Sequence, residues 1–267
     1  YYNLHEFLDQ LHNVAPDTNP TLPGRVADNI NDEDEKVVGA MVDEFMTGAT
    51  VCDMDRDKIV PSMRAHYLVN KLLKKLDCNA FAAPCPDMCA TRRLNHEQTT
   101  LCLNHTLNNE NGVCSACEQD VSALLSMVAL SAVSQSAPYM GNTVPVKLDA
   151  DDELRIKTRI MFRPYSCDEE TPRLEEQHAD AIMSIYHAVP NRQFKGYDAE
   201  QAPYDVRPFA MDGRWGATVR YDFKRDIGEP ITLAKFDPTC SKLLVARGTI
   251  VGGIGALDEN CSEGVFF

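Results

Sequence analysis

The chain has no apolar run of about eighteen residues, so it offers no membrane-spanning helix. It is short of positive charge: 26 Lys and Arg stand against 40 Asp and Glu, a formal net charge of −14. A surface this acidic repels nucleic acid, which excludes phosphate-backbone binding as its business. Ten cysteines in 267 residues fall below the density of a disulfide scaffold. Several lie in apolar surroundings (Cys78, Cys102, Cys240), where a free thiol behaves as a small hydrophobe, and a reducing cytoplasm is expected. There is one tryptophan, Trp215, and there is no internal repeat or low-complexity tract. No secretory signal is visible, and the asparagine sequons at Asn104 and Asn260 are of a kind common by chance. The ends, Tyr1-Tyr2 and Phe266-Phe267, read as cuts through a longer protein.

What is present is enough apolar residue, 44%, to build a sizeable core. Up to about residue 145 the pattern alternates between helix and strand. Acidic residues Asp32 to Glu35 open a helix carrying Val38, Met41, Val42 and Phe45 on one side. A second helix runs from about Lys58 to Leu76, a short strand follows near Phe81, and a third helix covers Glu97 to Leu107. Gly112 to Cys117 reads as a strand, and Gln119 to Ser134, apolar nearly all round, as a buried helix. This alternation predicts a parallel, Rossmann-like α/β layer over 1–145. From 146 to 267 strand patterns dominate (Leu154–Phe162, Ala181–His187, Asp205–Met211, Ala217–Phe223, Ile231–Phe236, Lys242–Val251). They predict a mainly antiparallel β domain, truncated at its end.

Chemistry is expected where the strand of residues 112–117 meets the following helix, at Cys117-Glu118-Gln119-Asp120. Open α/β folds bind ligands at this edge, and a carboxylate so close to two apolar elements needs a metal, a partner charge or a proton. Two further segments join it: Met140-Gly141-Asn142-Thr143, and the strand end at His187 with the basic loop holding Arg192 and Lys195. Carboxylate, amide and imidazole together suit Mn²⁺ or Mg²⁺ better than Zn²⁺. Bland alternatives stand beside each. Glu118 and Asp120 suit the first turn of a helix, Asn142 a turn, His187 a core, Arg192 and Lys195 a solvated loop, and Trp215 either a sugar-stacking platform or a core. Cys114 and Cys117 have thioredoxin-like spacing in a buried strand, where a lowered thiol pKa is not expected. Cys85 and Cys89 make a poor zinc half-site, because no second pair has matching spacing, and His96 and His105 do not share a helix face.

The stretches GVCSACEQDVSALLSMVAL, PYMGNTVP, YHAVPNRQFKGYD and GEPITLAKFDPTCSKLLVARGTIVG resemble, in order and spacing, the L-fucose isomerase / L-arabinose isomerase family. The resemblance implies a metal-dependent aldose–ketose isomerase working through an enediol, with Mn²⁺ as cofactor, a sugar as substrate and a homo-oligomer, hexameric in the family, as assembly. Carried over, Glu118 is metal ligand and acid/base with Asp120 beside it. Asn142 and His187 complete the ligand set. Apart from the resemblance, the charge of Arg192 and Lys195 and the ring of Trp215 make them the candidate substrate-binding residues. This chain departs from the family in three ways. Asn142 stands where a second acidic ligand is expected, the family's further C-terminal histidine has no counterpart, and its first domain is not evident. A non-catalytic sugar-binding relative and a cysteine-dependent oxidoreductase are the alternatives.

Overall fold

The computed structural model describes residues 7–8, 11, 30–85, 98–145, 183–187, 189–210, 213–254 and 264–267. The strand expected at Leu154–Phe162 lies outside them. Helices and strands combine in sheets of mixed direction, an α/β class.

Helix α1 (Asp32–Gly48) starts with the acidic run, and Asn31 just before it is the N-cap. The Asn31 side chain accepts the amides of Glu33 and Asp34, and Asp34 accepts that of Asn31 in return. This reciprocal cap satisfies donors the helix cannot, and the four acids of the first turn meet its positive end. Val38, Val42 and Phe45 form the buried face. After the two-residue strand β1 (Val51–Cys52), α2 (Arg56–Lys75) buries Ile59, Met63, Leu68 and Leu72. Strands β2 (Ala80–Ala82) and β3 (Cys114–Ala116) pair in parallel, Ala82 opposite Ala116, with α3 (Cys102–Glu110) between them in sequence. Helix α4 (Val121–Ser134) follows.

Helix α4 reverses the buried environment expected of it, and α3 contrasts with it. Helix α3, polar in sequence, is buried at every residue. Most of its polar side chains find partners: Asn109 exchanges bonds with the backbone of Ser115 (2.8 and 3.1 Å), Thr106 donates to the Pro190 carbonyl (2.8 Å), and Glu110 takes Arg192 in a two-pronged pair, while Asn104 Nδ2 is left without one. The Asn104 sequon is therefore out of reach of any modifying enzyme. Helix α4, apolar all round, buries only Ala123, Ser126 and Met127 and leaves Val121, Leu125, Val128 and Val133 exposed. Val121, Leu125 and Val128, four and three residues apart, share one stripe.

In the second half, β4 (Asn142–Pro145) and β5 (Met183–Tyr186) join β10 (Gly252–Ile254) and β11 (Gly264–Phe266) in an antiparallel sheet ordered β10-β11-β5-β4. Strands β6 (Asp205–Ala210) and β7 (Trp215–Arg220) form a hairpin, and β8 (Pro230–Phe236) with β9 (Leu243–Thr249) another. The division expected at 145/146 is crossed. Strand β1 runs parallel to β6, and one core joins Val38, Val42 and Ile59 to Val206, Ala217 and Val219. No helix among the described residues is long and apolar enough to cross a membrane.

Candidate functional site

The chain leaves β3 through a strained corner. Glu118 and Gln119 both occupy the left-handed region, at φ 61° and 52°. Side chains other than glycine seldom sit there, and pairs of them mark places where the surrounding structure dictates the backbone. Here the dictation is visible: the Gln119 amide is held by the Ala83 carbonyl at 2.8 Å, and the Cys117 amide by the Met140 sulfur at 3.0 Å. The corner turns Cys117 inward, 3% exposed, and leaves Glu118 half-open.

Asn142 reaches Glu118 because Gly141 lets β4 press against β5. A Cβ at Gly141 would stand 2.7 Å from the Tyr186 carbonyl. Asn142 pairs in register with Tyr186, next to His187. Tyr139 fixes the histidine from the other side: its hydroxyl donates to the His187 carbonyl and accepts the His187 amide, both at 2.8 Å. Three segments thus meet at one oxygen. Asn142 Nδ2 donates to Glu118 Oε1 at 3.1 Å, and His187 Nε2 lies 3.5 Å from the same atom. His187 Nδ1 is buried with no hydrogen-bond partner.

The electrostatics follow. Burial disfavours a charge on His187, but hydrogen bonds to Cys117 and Glu118 outweigh it and lift its pKa to about 9, so the ring is protonated at neutral pH. In return the His187 hydrogen bond, assisted by Asn142, lowers the Glu118 carboxyl against the cost of its partial burial. Beneath Glu118 lies a second group. Cys85, His105 and Cys117 present their ligand atoms within 4.8 Å of one another, all buried. His105 Nε2 is 3.3 Å from Cys85 Sγ, and its Nδ1 is 2.7 Å from Ser115 Oγ. Phe81 stacks on the ring. Burial drops the His105 pKa to about 3, so this imidazole is neutral. A hydrogen bond with Cys85, together with burial, keeps Cys117 a neutral thiol.

The other expected residues are engaged elsewhere. Asp120 is the N-cap of α4: it accepts the Ala123 amide and the Ser122 hydroxyl, each at 2.8 Å, and pairs with Lys235. This is the first-turn alternative rather than the catalytic one, because its oxygens are spent on the helix end and a lysine. Arg192 is no solvated loop residue: it is buried against Glu110 and lies over the Tyr204 ring at 4.4 Å. Lys195 pairs with Asp226 at 3.1 Å. Both line an open cleft of about 910 Å³ with Tyr221 and Glu229, and the acids there answer the basic charge. Trp215 is buried in β7 against Phe209, the core alternative. Cys114 has Ser131 and Tyr197 as neighbours, so the thiol that meets Cys117 is Cys85. Reasoning from sequence missed Cys85 and His105 as a pair. The available signal was that Cys85 and Cys117 lie just past the carboxyl ends of β2 and β3, on one edge if the strands are parallel.

Compared with known protein families and with curated proteins, the chain matches none.

Proposed function

We propose that this chain carries the metal-binding and proton-transfer part of an aldose–ketose isomerase of the L-fucose/L-arabinose isomerase type. The observation that carries the reading is the convergence of Asn142 and His187 on Glu118 Oε1 from segments 24 and 69 residues downstream (142 − 118 and 187 − 118). The donors fit a hard or borderline divalent ion such as Mn²⁺ or Mg²⁺: one carboxylate, one amide oxygen once the Asn142 side chain turns over, and one imidazole. The unpartnered, buried His187 Nδ1 belongs to a ring whose hydrogen bonding is incomplete in the free protein. When bound, the ion would supply Lewis-acid polarisation of the sugar oxygens.

Glu118 is then the base. Its lowered pKa keeps it ionised at neutral pH, ready to accept the proton beside the sugar carbonyl and return it to the neighbouring carbon. His187 would hold the ion as a neutral imidazole, its ring proton released to solvent. Asn142 orients Glu118 and cannot take a proton. The parallel β2–β3 pair flanked by helices supports a Rossmann-like layer for the first part of the chain. The exposed stripe of α4 supports a homo-oligomer, hexameric by the resemblance, and free thiols at all seven described cysteines suit the cytoplasm. The neutral Asn142 favours one second reading, a sugar-binding relative without turnover.

The test is aldose-to-ketose conversion by the full-length protein on pentoses, deoxyhexoses and anionic hexoses, with and without Mn²⁺, alongside Glu118→Gln. Turnover that needs both the metal and Glu118 is the expected result. Metal-dependent sugar binding with no turnover supports the binding relative, and neither binding nor turnover sinks both.

A further inference from the structure

The buried group beneath Glu118 takes no part in that chemistry. We propose that Cys85, His105 and Cys117 form a separate site for one borderline-soft divalent cation, Zn²⁺ by its chemistry, with two thiolates and one imidazole nitrogen as ligands.

Three observations support it. The donor set is the first: two sulfurs and an imidazole within 4.8 Å of one another select zinc-like ions over Mg²⁺ or Mn²⁺. The orientation of His105 is the second. In the tautomer that donates Nδ1–H to Ser115 Oγ, Nε2 turns its lone pair toward Cys85. Ser115 is itself tied to Asn109 through its backbone, and Phe81 covers the ring, so the imidazole is locked in the manner of a metal ligand with its outer partner. Charge is the third. A divalent ion with two thiolates is neutral overall, which a dry pocket tolerates, whereas a lone Cys117 thiolate is opposed by burial. The two thiol protons leave as the ion binds. Cys85 and Cys117 sit at the carboxyl ends of adjacent parallel strands, the edge where such sheets place ligands. Beside the cluster, His187 hydrogen-bonds Cys117 and is buried with Nδ1 unpartnered.

A Cys85–Cys117 disulfide is the competing use of the same sulfurs, and it would leave His105 Nε2 without its sulfur partner. The experiment is metal replacement in the reduced, full-length protein stripped with chelator. One equivalent of Co²⁺ per chain should give thiolate-to-cobalt charge-transfer absorption with the intense bands of a tetrahedral site, and Zn²⁺ should abolish both. Cys85→Ser and Cys117→Ser should each lose the charge-transfer signal, and Cys114→Ser should keep it. Because a core substitution can unfold the chain, zinc-edge X-ray absorption on the wild type gives an independent reading. Two sulfurs at about 2.3 Å and nitrogen at about 2.0 Å support the site. An all-oxygen-and-nitrogen shell, no cobalt–thiolate band in folded protein, or a Cys85–Cys117 disulfide in the protein as isolated would each overturn it. Glu118→Gln should keep the sulfur signature, so failure of the isomerase reading leaves this test untouched.

Discussion

Cys117 and Glu118 are consecutive residues that enter opposite environments. On the side of Cys117 the pocket is closed and sulfur-rich: two cysteine sulfurs, that of Cys117 held as a thiol, and an uncharged imidazole, packed under Phe81 and braced by Ser115. On the side of Glu118 the corner is half-open and charged, a carboxylate between an amide and an imidazolium. One peptide unit separates a place where a charge is expensive from a place where it is stabilised. The comparison teaches that the left-handed corner, rather than either residue alone, divides the two chemistries. In an extended strand alternation would also part the two side chains, but the next carboxylate, Asp120, would not fall at the N-cap of α4.

The sharpest way to break this contrast is to exchange the kinds of damage each side suffers. Under the isomerase reading, Glu118→Gln should lower kcat by roughly 10²- to 10⁴-fold while costing no more stability than its share of the His187 pair, less than a buried-ring deletion costs. His105→Ala should do the opposite. It removes a fully buried ring and strips the Ser115 hydroxyl of its partner, at a cost of about 2–4 kcal/mol in urea unfolding. If Glu118→Gln destabilises as much as His105→Ala, the corner is part of the core and the contrast fails.

A pH series sharpens it. The folded pKa of His187 stands near 9, against an ordinary value of 6.5. The stabilisation from its protonated form is therefore complete below about pH 6.5 and is lost as pH rises through 9. Its size is up to about 3 kcal/mol. Glu118 behaves in the reverse sense: its contribution is present above its ordinary value of 4.5 and is lost as the pH falls through its lowered folded pKa. Urea midpoints between pH 5 and 10 should decline on the alkaline side in the wild type, and His187→Gln should flatten that decline. His105, held neutral, should add no step over the same range.

The smallest effect concerns Asp120. If its work is capping, Asp120→Ala should cost about 1 kcal/mol and Asp120→Asn less than half of that, because asparagine caps as well and loses only a partly exposed pair with Lys235. Equal losses by thermal melting would assign the energy to the ion pair instead.

Much of the scaffold was legible because periodicity reports burial. The apolar spacing in α1 and α2 predicts both helices to within a few residues, and the step from β3 into α4 is found where small apolar residues give way to an N-cap aspartate. What periodicity misreads is a polar helix whose partners come from elsewhere. Helix α3 is buried because Ser115, Pro190 and Arg192, distant in sequence, satisfy it, whereas α4 keeps an apolar stripe exposed. For the same reason Glu118, Asn142 and His187 could be grouped by an ordered set of motifs, but Cys85 and His105 could not. Their meeting depends on the β2–β3 register and on which face α3 turns to it, and neither is written in a local pattern. Arg192 follows this rule too: it reads as a solvent-facing basic residue until Glu110 is found beneath it.

The strained corner has one consequence for how this protein can change. Glutamate and glycine codons differ by a single base, and glycine would occupy the left-handed backbone at position 118 with less strain. The mutation that relaxes the backbone most readily is thus one base away, and it also deletes the carboxylate on which Asn142 and His187 converge. Selection for a sturdier chain and selection for a working corner pull on the same codon in opposite directions.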